Sequence, residues 1–393
     1  MRPLLVSKAW VQASILVLLF GFFVLGFLAL RTYQEEPPIP ARTVGPDGSV
    51  LFTGEDVIAG QQIFLKNGLM EYGSILGHGA YLGPDFTADY LRRAAVVVRD
   101  RLGGKDSDRA RQRTIEIFKR NTYDPSTRTL TLDATQVEAF HENEEHYRAF
   151  FSEPTTRFGL RPHAITDSVE ARSLTSYFAW TAWAASTLRP GKPHTYTNNW
   201  PPEPLVDNKP SADVVLWSVL SLIALLGGIG LMMAVFGRWR FLGWHGREEV
   251  RLSFRPPGEV PLTPAQRSTA WYFLVAAALF LVQSLLGGSV QHYRAELSGF
   301  FGIDLARLLP FNLARTWHLQ LAIFWVAAAY LAAGIFIAPM IAGREPKGQQ
   351  ILSYGLLGAV AIVVFGSLTG EYLGIFGKTG RLWQWFGNQG FEY

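Results

Sequence analysis

The sequence predicts a mainly α-helical protein that crosses a membrane five times and carries one domain outside it. Three observations carry this expectation. Five long stretches are apolar and free of charge, and a polar, Arg-rich stretch over residues 31–212 separates the first from the second. That stretch is long enough for one compact domain. Composition is intermediate: of 393 residues, 49% are hydrophobic and 17% charged, against about 25% charged in ordinary soluble domains. Mean hydropathy, at +0.13, is high for a soluble enzyme and low for a chain made only of spans.

The spans come first. Ala9–Leu30 carries no charge and is long enough to cross the hydrocarbon layer. A cleaved signal peptide has a shorter apolar core and a small-residue cleavage site. Here the apolar run meets Arg31-Thr32-Tyr33, so an uncleaved anchor is expected. The next stretches are Val214–Phe236, Ala270–Val290, Leu319–Ile341 and Ile351 to about Leu368. Gly227, Gly228 and Gly230 in the second span suggest close helix packing.

Orientation follows from basic residues, which accumulate on the cytoplasmic side. Arg2 and Lys8 precede the first span. Arg238, Arg240, Arg247, Arg251 and Arg255 follow the second, and Arg344 and Lys347 follow the fourth. Five crossings put all three groups on one side. The N-terminus is then cytoplasmic, residues 31–212 lie outside, and the protein is multi-pass in the inner (plasma) membrane. The domain reading is an anchor over 1–30, an extracytoplasmic domain over 31–212, and a membrane domain over 213–393.

Within the outer domain, Val57, Gly60, Ile63 and Phe64 fit one face of a helix. The Gly-rich run Gly73–Gly83, with His78, cannot be a regular element. Thr87 is a plausible cap for the helix that follows. Ala134–Phe151 and Ser173–Thr187 read as two more helices. "YTNNWPPEP", Tyr196–Pro204, reads as a stiff, aromatic-anchored lead into the second span.

Zero Cys excludes disulfides, thiolate zinc sites, Cys-held iron–sulfur clusters and C-x-x-C-H haem attachment. A net charge of +4 gives no sign of a nucleic-acid partner. His78 reads first as a structural loop histidine, with haem ligation as its rival. His141 and His146, in "HENEEH", are five apart rather than the four that a zinc helix needs. They read as a solvated helix face. His163 and His194 are isolated, and His245 sits in a basic loop.

His292 and His318 differ from these, because they sit at span ends on the outer side. A polar residue at membrane depth is expensive and marks a functional site by default. Neutral imidazole at His318 is a natural axial ligand for haem iron, with an interfacial histidine as the rival reading. His292 and Glu296 share a helix face if the helix continues through them, with Phe300 four residues on. Such a pair could hydrogen-bond a quinol's hydroxyls and accept its protons while aromatic rings pack on the headgroup. An interfacial ion cluster with Arg294 carries equal weight.

Several long segments now carry a resemblance, in order: the anchor span, "SILGHGAYLGPDFTADYL", "FAWTAWAASTLRPGKPHTYTNNWPPEPLV", "QHYRAELSGFFGIDL", "ARTWHLQLAIFWVAAAYLAAGIFIAP" and "WQWFGNQGFEY". The chain resembles the N-terminal half of quinol-dependent nitric oxide reductases, in the haem–copper oxidase superfamily. The resemblance implies an outer domain of cytochrome c-like fold without covalent haem. It implies a quinol site at His292, Glu296 and Phe300, and an axial ligand of a low-spin haem b at His318. Glu392 resembles an acidic residue near the haem propionates and a calcium site.

The departure is one of length. Relatives run to about twice this size and place the second haem b ligand, the haem b3 ligand and the non-haem iron ligands on later helices. No histidine follows His318 here. The reading is an N-terminal fragment, a truncated gene, or half of a split protein whose partner is the C-terminal half of the catalytic core. Nitric oxide reduction is then not expected of these residues alone. The rival functions are a membrane-anchored assembly or interaction protein without catalysis, and a small b-type cytochrome using His318 and a ligand from another chain.

Overall fold

A computed structural model describes residues 8–79, 82–104, 107–153, 159–238, 261–296 and 302–382. It is mainly helical. The helices are α1 (Lys8–Gln34), α2 (Gly54–Lys66), α3 (Leu69–Tyr72), α4 (Phe86–Arg101), α5 (Asp108–Lys119), α6 (Ala134–Ser152), α7 (Ser168–Ser186), α8 (Ala212–Arg238), α9 (Pro264–Glu296), α10 (Phe311–Ala342) and α11 (Gln349–Ile375). Four short strands are β1 (Arg42–Val44), β2 (Val50–Thr53), β3 (Tyr123–Asp124) and β4 (Thr129–Thr131). They form one sheet in the order β2-β1-β4-β3, with β1 and β4 parallel and the other pairs antiparallel.

Local chemistry sets where the outer helices begin. Thr53 and Asp56 form a capping box at α2, and Asp133 and Gln136 form another at α6. The start of α4 departs from the expected cap. Asp85 caps it by accepting from Ala88 N, because the Thr87 hydroxyl is already used. That hydroxyl is buried, donates to Thr181 Oγ1 at 2.8 Å and accepts from Leu76 N at 2.9 Å.

The outer core is aromatic. Phe86 stacks on Phe178 with centroids 4.7 Å apart, and Phe64 packs edge-on to both. Helices α2 and α7 cross closely because Gly60 has no side chain. A Cβ there would lie 2.1 Å from the Ser173 carbonyl oxygen.

The Tyr196–Pro204 segment does more than lead into α8, since the outer domain's own groups tie it down. Trp200 Nε1 donates to Gly77 O at 2.8 Å, and Asn208 Nδ2 donates to Ala185 O and Pro201 O.

Helices α1, α8, α9, α10 and α11 are all long and apolar enough to cross a membrane. Each is longer than its uncharged stretch, because helix continues into polar residues at its ends. Helices α9, α10 and α11 pack together, with α9 and α10 in the most extensive contact. The start of α9 is fixed by Thr263 and Gln266, which cap each other, with Pro264 in the first turn. Ser268 and Ser353 then join α9 to α11 at 2.7 Å. The windows of α1 and α8 bury none of their residues. Among the described residues, Gly227, Gly228 and Gly230 have nothing within 4 Å of a Cβ position, so the expected close packing of α8 is not seen.

Candidate functional site

The outer domain and the membrane helices meet at one end of the α9–α10 pair. Tyr293 and Phe311 belong to the same buried cluster as Phe64, Phe86 and Phe178. Tyr293 packs edge-on to Phe311 at 5.9 Å, and its hydroxyl donates to the Leu309 carbonyl. Polar contacts reinforce the seam. Asn312 Nδ2 donates to Asn67 O at 2.8 Å. Arg315 Nη1 meets Glu71 Oε2 at 2.9 Å and the Glu71 carbonyl at 3.0 Å. The two side chains are 13% and 4% exposed, so this ion pair is buried.

His318 lies seven residues into α10, about 10 Å along its axis. It is deeper than its place at the edge of an apolar run suggested, because α10 starts at Phe311 under the outer domain. Its Nδ1 is 2.9 Å from the Gln283 carbonyl oxygen on α9. A carbonyl can only accept, so Nδ1 carries the proton. Nε2 then keeps its lone pair and makes no hydrogen bond among the described residues. The Gln283 side-chain nitrogen is 3.4 Å from the same Nδ1, and two donors cannot bond one another. An imidazole with Nδ1–H held by a carbonyl and Nε2 bare is the form that ligates a metal. The residues present therefore fit an iron ligand at His318.

His292 stands in the last turn of α9 and is half-buried. Glu296 ends α9, so the helix does continue through both and they share its face. His292 is about 8 Å along the axis from Gly287 and about 14 Å from Gln283. Those two residues touch the His318 ring. The Glu296 side chain, Phe300 and Glu392 lie outside the described residues. Among the described residues no group of three or more His, Asp or Glu could hold a metal ion.

Sequence reasoning missed three contacts. The Gln283 carbonyl is backbone and leaves no signature. Glu71 and Arg315 are too far apart in the chain to suggest a pair. Gln320 Nε2 donates to Glu371 Oε1 at 3.1 Å, both buried, between α10 and α11. These two did carry a signal, as polar residues in otherwise apolar helices.

His78, His141 and His146 belong to the outer domain. His78 is exposed in its loop. His141 and His146 lie on α6, and His146 packs on the Tyr147 ring at 5.0 Å. Burial, helped by Arg93, lowers the His146 pKa from its ordinary value, and Asp89 opposes the shift. It lines an open groove of about 420 Å³ with Asp89, Arg92, Arg93, Glu142 and Asn143.

Residues 40–202 match the family model of the NorB cytochrome c-like domain of nitric oxide reductase. Residues 267–393 match that of cytochrome c and quinol oxidase polypeptide I. His292, Glu296, Phe300, His318 and Glu392 all fall inside the second match.

Proposed function

Because the chain is a NorB-like nitric oxide reductase protein of the haem–copper oxidase superfamily, we propose that it oxidises a membrane quinol in support of nitric oxide reduction to nitrous oxide. His318 would be an axial ligand of low-spin haem b. A haem held there would supply one-electron acceptance next to the quinol. The observation that carries the reading is the His318 tautomer: Nδ1–H on the Gln283 carbonyl and a bare Nε2 inside an apolar helix.

The residues divide the work. His292 and Glu296 receive the two quinol hydroxyls and take their protons, while Phe300 packs on the ring. The outer domain over residues 31–212, seated on the same end of α9 and α10, keeps water from the donor site. It faces the outside of the plasma membrane, with the N-terminus in the cytoplasm. A haem-and-iron centre for the reduction of two nitric oxide molecules, with two electrons and two protons, to nitrous oxide and water would be held by ligands of a C-terminal half of the core and not by the residues considered above.

Turnover in the complete assembly tests the donor site. His292→Ala and Glu296→Ala are expected to abolish quinol-driven turnover and leave turnover with an artificial electron donor intact. Unchanged quinol turnover rejects those roles.

A further inference from the structure

A notch in α9 seats the His318 ring. Gly287 stands directly against it: a Cβ at 287 would lie 2.7 Å from His318 Cε1 and 3.0 Å from Nδ1. Real side chains do not approach that closely, so any residue but glycine drives the ring away. The neighbouring Gly288 has nothing among the described residues within 4 Å of its Cβ position. Among the described residues, space therefore demands glycine at 287 and not at 288.

The notch is tied to the carbonyl that fixes the tautomer. In an α-helix the carbonyl of one residue accepts from the N–H four residues on, so Gln283 O is the helical partner of Gly287 N–H. The same oxygen accepts from His318 Nδ1. The missing side chain at 287 lets the imidazole reach over the helix backbone to that second lone pair. Trp325, two turns further along α10, donates from Nε1 to Gln283 Oε1 at 3.2 Å and packs edge-on to Phe280 at 5.3 Å. It holds the Gln283 side-chain oxygen, while the amide nitrogen lies 3.4 Å from His318 Nδ1.

We propose that Gly287 is a positioning residue, whose missing side chain seats the His318 imidazole on the Gln283 carbonyl and so aims its Nε2 at iron. This rests on the reading of His318 as a haem ligand. Partners that orient a ligand histidine typically change metal affinity by about 10–100-fold, and the notch acts through that hydrogen bond.

The test uses the complete assembly in native membranes, as wild type, Gly287→Ala, Gly288→Ala and His318→Ala. Nitrogen NMR with labelled histidine, assigned by the signal lost in His318→Ala, reads the tautomer without reference to activity. Electron paramagnetic resonance reads the low-spin haem. Wild type and Gly288→Ala are expected to show Nδ1–H, a bare or iron-bound Nε2 and the same low-spin signal. Gly287→Ala is expected to lose the Nδ1 hydrogen bond and to retain low-spin haem about 10–100-fold less well.

A Gly287→Ala protein with unchanged nitrogen shifts and haem signal overturns the proposal. So does a wild-type protein whose His318 proton is on Nε2, a result that stands even if Gly287→Ala fails to accumulate. Low-spin haem surviving in His318→Ala rejects the ligand reading instead, which separates the two failures.

Discussion

Replacing Arg315 with methionine keeps an unbranched apolar stem and removes the charge from the seam between the outer domain and the membrane helices. Glu71 would then be left 4% exposed, without the guanidinium now 2.9 Å from its Oε2. Two charges buried together roughly offset their desolvation, whereas breaking a buried pair by removing one partner is penalised by about 3–5 kcal/mol. At about 1.4 kcal/mol per tenfold, that is two to four powers of ten in the equilibrium that docks the outer domain. Asn312, bonded to Asn67 O, and the Tyr293–Phe311 contact remain, so loosening rather than separation is expected. Hydrogen exchange by mass spectrometry in lipid nanodiscs reads it. Amides of Leu69–Tyr72 and of the first two turns of α10 should exchange faster in Arg315→Met. The double variant Glu71→Gln/Arg315→Met, which removes both charges, should recover most of the protection. Unchanged exchange in the single variant, or no recovery in the double, would refute the buried pair as the clamp.

Two further outcomes concern the outer domain. Gly60→Ala puts a methyl 2.1 Å from the Ser173 carbonyl. Overpacking of about 1–3 kcal/mol should lower the domain's Tm by about 2–12 °C in calorimetry, and an unchanged Tm would mean that α2 and α7 part freely. Lys119 is drawn down to a pKa of about 8 from 10.5, mainly by burial, with Asp207 opposing. Between those values the unfolded chain holds a proton that the folded chain has lost, so stability should climb as pH rises from about 8 to 10.5. Below that window both states are protonated and the penalty is fully present. Lys119→Met should flatten this climb in thermal melts across pH, and an identical slope in the variant would exclude Lys119 as its source.

Much of the fold was legible because hydrocarbon demands long uncharged helices. All five apolar stretches lie in helices of spanning length. Their ends were not legible. Residues such as Asn312 and Arg315 look like loop, yet they are helical because the outer domain covers and bonds them. The strands were invisible for the opposite reason: at two to four residues they are too short to show alternation. In "DFTAD" both Asp85 and Thr87 could cap, and only the distant Thr181 decides which is free to do so. Of the candidate site, His318 stood out as an imidazole in an apolar run. What prepares it did not, because a backbone carbonyl and an absent side chain carry no motif.

The most direct measurement is the optical and paramagnetic resonance spectrum of haem in membranes carrying the complete assembly, wild type against His318→Ala. A low-spin b-type signal present in wild type and lost in the variant, with the outer domain still folded, is the expected result. The same low-spin signal in both proteins would contradict iron ligation at His318.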